Sequence, residues 1–578
     1  MKKIFTLFLI FFSFLSLIAQ KKEQIKDTVK TEIVNVVTKY NPKIANAKKI
    51  QKNPTIELLE KNQKKKLKYT IFPATVASTF IPKSGILKGI DVGIKELLYK
   101  NYVTAGFGNY SSPYYETFLY HNTRFKNEFG LNTKYIASQN NITNSVLNST
   151  FSNFNLGAFY KKQDRYFDWK VSLNSEINLY NWFGLPNIPL NKETIDSIDE
   201  KQLHNYFDLV GEFNFDDSYL DWGKIKTSYF TDRFKSNELF VKLETKLKFP
   251  LSIINPQLND ISVKSSVEFL KGEFKNSNAN FNSIKYSITT IDLNPQYKTN
   301  YKKFTLNAGM KFIASLDSKN RTNNIFILPN FSIQRPLIKN YLHLNVGFSG
   351  DLHSNTYKGF TEKNPYVSPT LFMTQTLEKS NFNIGFNGKI INDLNFQFRA
   401  SFKKEEDKPL FVRNYSSYDG TNNSILKGYE YGNSFKVYYD DVKTTSIFTK
   451  IEYDYSKEIT FRVQGVYNIF TLENSLKAWN LPNIEASFSA NYRNNNWFAI
   501  SNIFYTSERQ YILYSGTKSS ETLQSFLDVN LNGGYHFNDK LTLFLKLNNL
   551  LNTNYQRFAN FNTQGFQALG GFTYKFDF

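Results

Sequence analysis

The side chains able to do chemistry in this 578-residue chain are few in kind and poorly grouped. There are five histidines, His121, His204, His343, His353 and His536. A metal site calls for His or carboxylate ligands at short spacings, and the nearest pair, His343 and His353, lies ten residues apart. The acidic clusters Asp216-Asp217, Glu405-Glu406-Asp407 and Asp440-Asp441 would suit cation binding or acid–base work. Each falls in a stretch that reads as a turn or loop, where a solvated charge run is the expectation. Without cysteine there is no thiolate nucleophile and no disulfide framework. No Gly-rich loop precedes a helix to cradle a phosphate. The sequence therefore offers no catalytic, cofactor-binding or metal set, and a non-enzyme is expected. A site assembled in space from distant loops stays open.

What is abundant is aromatic side chain: 55 Phe and 37 Tyr bring Phe, Tyr and Trp to 17% of the chain. Aromatic residues favour strands and gather at the two interfaces of membrane barrels. The final stretch, Gly571-Phe572-Thr573-Tyr574-Lys575-Phe576-Asp577-Phe578, places an aromatic ring at every even position. Residues two apart on a strand share a face, so Phe572, Tyr574, Phe576 and Phe578 form a ladder. At a free sheet edge such a ladder would fray or aggregate. In a closed membrane barrel the last strand pairs with the first and the ladder meets lipid. These four residues are therefore expected to form a barrel assembly signal, read by the machinery that inserts such barrels.

The same period of two recurs through the chain. In Phe167 to Leu179, Phe167, Trp169, Val171, Leu173, Ile177 and Leu179 occupy one face, which is assigned to lipid, and polar residues occupy the other. Phe207 to Phe215, Leu239 to Phe249, Phe304 to Leu316, Leu394 to Phe402 and Ile459 to Tyr467 repeat the pattern. These runs match the ~9–11 residues a tilted strand needs to cross a bilayer. Tight polar turns at Asn392-Asp393, Ser456 to Glu458, Arg493 to Asn496 and Asn538 to Lys540 alternate with long polar stretches. The long stretches are Lys403 to Lys436, Thr471 to Pro482, Thr506 to Glu521 and Asn552 to Gly565, and they are expected outside the cell. The fold class that follows is all-β: a transmembrane antiparallel outer-membrane β-barrel of about 20–22 strands, even in number because both ends lie in the periplasm. A mean hydropathy of -0.43 does not oppose this, since a barrel strand is apolar only at alternate positions.

The N-terminus supports export. Met1-Lys2-Lys3, an apolar run from Ile4 to Ile18 and Ala19-Gln20 make a signal peptide over 1–19. Residues 20–100 are Lys-rich, with no Gly before Gly85, and read as a periplasmic segment; 101–578 is the barrel. Within the segment, Thr31 to Thr38 is a β-branched island that either adds as a strand to a partner's sheet or pairs within the protein. The net charge of +21 would suggest nucleic acid in a cytoplasmic protein, but export removes that partner. Anionic outer-membrane lipid and lipopolysaccharide are the expected partners of the basic surface.

The C-terminal third resembles the barrel of TonB-dependent outer-membrane receptors. The matching residues are Trp479 to Asn483 leading into Ala486 to Tyr492, Leu527 to Leu531, and Leu541 to Asn552 with Tyr555 close behind. This resemblance implies an outer-membrane receptor that binds a ligand and transports it, with no cofactor of its own. It also implies that Glu32, Ile33, Val34, Val36 and Val37 form the segment contacting TonB. The short N-terminal segment departs from the family, whose plug domain looks absent or reduced here. The alternative is a plugless barrel serving as a structural or assembly component beside another outer-membrane protein.

Overall fold

The computed structural model describes residues 99–577, apart from 124–126, 144, 188, 257, 276–282, 419, 421–425 and 516. The expected signal peptide, most of the Lys-rich segment with its Glu32–Val37 island, and Phe578 lie outside the described residues.

From Asn101 onward, polar and apolar residues alternate over successive stretches, and each stretch becomes a strand paired antiparallel with its sequence neighbours. Twenty-two of these strands make one sheet. The sheet closes because the first strand, Asn101–Gly108, pairs with the last, Gln567–Phe576, in the register Val103↔Tyr574 and Ala105↔Phe572. Closure gives every strand two neighbours, which satisfies backbone N–H and C=O groups that lipid cannot serve. At the seam, Gly106 lies opposite Gly571. A Cβ on Gly571 would sit 2.3 Å from the Ala105 carbonyl oxygen and 2.6 Å from the Phe544 ring, so glycine is required there.

The expected faces hold. On Phe167–Asn181, Ile177 and Leu179 point outward and are exposed, whereas Asn174 bonds Asp208 and Glu176 meets Lys358 inside the barrel. On the last strand Phe572 and Tyr574 are each 44% exposed, and Leu543 and Leu545 flank them on the neighbouring strand. These residues belong to an apolar belt around the barrel. A monomeric soluble protein would rarely expose so large a surface. The chain thus forms a transmembrane barrel of the outer-membrane type.

The stretch from Lys403 to Lys436 corrects the expectation of one long loop. Strands Leu394–Arg413 and Phe435–Asp454 run 20 residues each, leaving only 414–434 as connection. Such a strand is roughly 65 Å long against a hydrocarbon core of about 30 Å, so even when tilted it projects well beyond lipid. There both faces meet water, protein or the lumen, and the alternation that marks a strand disappears. The acidic clusters in this region are corrected with it. Glu405 and Asp440 are strand residues, 7% and 2% exposed, rather than solvated loop charges. Glu405 pairs with Lys408 at 2.6 Å, and Asp440 accepts the backbone N–H groups of Asn474 and Ser475.

The connections 139–150, 182–200, 354–375, 414–434, 473–483, 507–525 and 549–566 all lie at the end opposite the start of the first strand. Turns at the other end are short except 250–260. Long connections face outward in such barrels, which makes this the outer mouth.

Candidate functional site

The largest apolar cluster of the described protein sits inside the outer mouth, built from inward side chains and folded-in connections. Its centre is the connection 354–375. Thr356 caps a short helix, α1 (Tyr357–Lys363), by accepting the Gly359 N–H at 3.0 Å. The buried carboxylate of Glu238, on strand Asn237–Phe249, accepts the N–H groups of Tyr357 at 2.6 Å and Lys358 at 3.2 Å. It also accepts the hydroxyl of Tyr286 at 2.8 Å. A carboxylate in this position satisfies orphan donors of the first turn and complements the helix dipole.

The same helix is tied to two further strands. The Tyr357 hydroxyl donates to Asp232 at 2.9 Å, and burial beside that carboxylate pushes the phenol well above its ordinary range. Lys358 reaches Glu176 at 2.6 Å and lies 4.8 Å from the Tyr206 ring centre. On the opposite side, Phe360 packs edge-on against Phe411 and Tyr366 stacks on Phe561 at 3.6 Å. The Ser368 N–H donates to the Phe435 carbonyl at 2.8 Å, beside a bridge between Val367 and Phe435. One connection therefore touches strands and loops around the lumen, which only a segment lying across the mouth can do. Trp182, Tyr357, Phe360, Tyr429 and Phe435 are fully buried around it.

Two cavities flank this stopper. The first, of about 660 Å³, has walls that include Asn153, Asn178, Tyr180, Asn549, Tyr366 and Arg557. The second, of about 540 Å³, lies toward Leu394–Arg413 and includes Lys363, Phe411, Trp479, Arg509 and again Arg557. Polar groups set among aromatic walls can orient a small ligand.

The five histidines are not brought together. His204 is buried in the stopper's surroundings, bonded to the Tyr180 hydroxyl at 2.8 Å, while His353 lies 3.7 Å from Glu378. Among the described residues no three His, Cys, Asp or Glu are close enough to hold a metal. Phe572, Tyr574 and Phe576 share the outer face of the last strand, away from the cavities. The stretches Thr506 to Glu521 and Asn552 to Gly565, expected as plain loops, carry a hairpin (Arg509–Ser515 with Thr517–Leu523) and a short one (Gln556–Phe558 with Phe561–Asn562). Glu238, Asp232, Tyr357 and Lys358 were not singled out by sequence. Their only local signal is a Thr cap ahead of a helix of seven residues.

Neither protein-family profiles nor curated protein sequences match the chain. Solved structures do. The FrpB iron transporter from Neisseria meningitidis (F5-1 variant) superposes with a TM-score of 0.63 at 9% identity, over 83% of this chain and 83% of that one. The ferric enterobactin receptor PfeA from Pseudomonas aeruginosa gives 0.59 at 10% identity, over 83% and 81%. The ferripyoverdine receptor of the outer membrane of Pseudomonas aeruginosa gives 0.60 at 11% identity, over 83% and 72%. What the chain shares with them is the fold, a large closed barrel.

Proposed function

We propose that this chain is a receptor-like outer-membrane barrel that binds a small ligand at its outer mouth and passes it across the outer membrane. The observation that carries the reading is the stopper: a connection folded across the lumen, held by polar contacts and by aromatic packing, and flanked by cavities. An element of this kind suits a passage that must open on demand. The relatives in fold are described as receptors and an iron transporter, which supports the same reading. The division into a signal peptide (1–19), a periplasmic segment (20–100) and a barrel (101–578) belongs to this proposal. So does energy coupling through Glu32, Ile33, Val34, Val36 and Val37, which would add as a strand to TonB.

The test compares depletion of small solutes from the medium by cells with and without the chain, with and without an uncoupler. Faster, uncoupler-sensitive depletion of at least one solute is expected. Equal depletion of every solute would leave the alternative, a barrel acting as a structural or assembly component. The size of the apolar cluster inside the mouth is the observation that favours that alternative.

A further inference from the structure

The second cavity is walled by more positive charge than its own carboxylates can balance. Lys363, Lys408, Arg509 and Arg557 line it, against Glu405 and Glu485. Glu405 is taken by Lys408 at 2.6 Å. Among the described residues, Lys363, Arg509 and Arg557 form no ion pair, and Glu485 is the only carboxylate of the wall left over.

Arg509 is the informative group, because it is 5% exposed and forms no direct ion pair, with only the charge of Glu485 on the same wall acting in its favour. Its Nη1 donates to the Arg557 carbonyl at 2.5 Å and its Nη2 to the Gln556 carbonyl at 2.6 Å. Those two bonds pin the short hairpin of the outer connection 549–566. They leave Nε buried with no acceptor. The Phe526 ring, 5.3 Å from the guanidinium, supplies only a weak partner for its charge. Nε is sealed from the cavity, so the charge a solute would meet is that of the guanidinium as a whole together with Arg557 and Lys363 on the same wall, an excess that an anion would offset. Pinning the hairpin explains Nη1 and Nη2 and leaves the side chains of Arg557 and Lys363 without a role.

We infer that Arg509, Arg557 and Lys363 form an anion-binding subsite in the lumen, for a small solute carrying carboxylate or phosphate groups. Guanidinium forks match the planar edges of both anions, and the aromatic wall of Phe411, Trp479 and Phe526 would exclude water around the pair. Arg557 lines both cavities, so an anion held here would also reach the wall of the first. The site lies inside the barrel wall, where a free solute reaches it and a bilayer lipid does not. The inference concerns binding alone and stands apart from whether the chain transports.

The full chain, purified in a non-ionic detergent, would be titrated calorimetrically with inorganic phosphate and with tricarballylate at fixed ionic strength. Saturable binding of one or both is expected. Binding of phosphate alone points to phosphoryl compounds, and of tricarballylate alone to carboxylates. Arg557→Gln, whose side chain is exposed to the lumen, should weaken binding about tenfold while the melting temperature without anion stays unchanged. Lys363→Gln should weaken it in the same direction. Lys457→Gln, in a short turn at the opposite end of the barrel, should leave it alone. Absence of saturable heat with both anions, or unchanged affinity in both Arg557→Gln and Lys363→Gln, would overturn the assignment.

Discussion

Glu238 shows how one buried side chain can hold a structural state. It accepts two backbone amides at the start of α1 and the hydroxyl of Tyr286 from the wall. Glu238→Ala would leave those donors buried without an acceptor, at about 1–3 kcal/mol. The expected result is faster hydrogen exchange over 357–363 with the melting temperature of the barrel nearly unchanged, because the backbone ladders of the wall do not run through this side chain. Exchange as slow as in the parent would refute the latch. On the wall itself, Val171 faces lipid and Ser172 faces the lumen, a difference of one position. Val171→Arg should cost about 2–4 kcal/mol near the bilayer midplane, whereas Ser172→Arg should be mild. Folding titrations into lipid vesicles measure both.

At the scale of elements, the last strand is decisive because it has two partners, Leu541–Asn548 and Asn101–Gly108. Until it docks, both are edges. Phe572, Tyr574, Phe576 and Phe578 are therefore proposed to act in assembly, and removing Phe578 should lower the amount of protein in the outer membrane. Normal abundance with lost uptake would argue for a ligand-contact role instead. The N-terminal island is the element on which energy coupling turns. Strand addition needs free backbone donors, so Val36→Pro should abolish crosslinking of a probe at Asn35 to the periplasmic domain of TonB and leave barrel abundance intact. Persistent crosslinking in the Pro variant would exclude pairing through this strand.

At the scale of the whole molecule, the chain combines a rigid wall with a stopper whose attachments are local. Val367 and Phe435 are bridge partners, one on the stopper and one on the wall. The chain has no cysteine, so the double substitution Val367→Cys and Phe435→Cys would introduce a single possible intramolecular disulfide. Oxidation should block uptake and reduction should restore it. Uptake that is indifferent to the redox state would mean that the stopper does not move during passage.

The barrel was legible in the sequence because its cause is local and repeated. A strand crossing lipid must be apolar at alternate positions, and Phe167 to Leu179 shows that period without reference to any other part of the chain. The aromatic ladder from Phe572 onward likewise announces a strand with a lipid face. The alternation fades in Lys403–Arg413, where the strand has left the bilayer and each side chain answers to its own neighbour; Glu405 is set by Lys408 and Lys403, and Asp440 by a loop 34 residues on. The mouth was illegible for the same reason carried further. Glu238 meets Tyr357 across 119 residues of chain, and Arg509 meets Arg557 across 48. Neither pair has a spacing that hydrophobic periodicity could register. Sequence alone determined the wall, since lipid acts on each strand separately; only the closed barrel, by bringing distant loops into one lumen, decided the stopper and the cavities beside it.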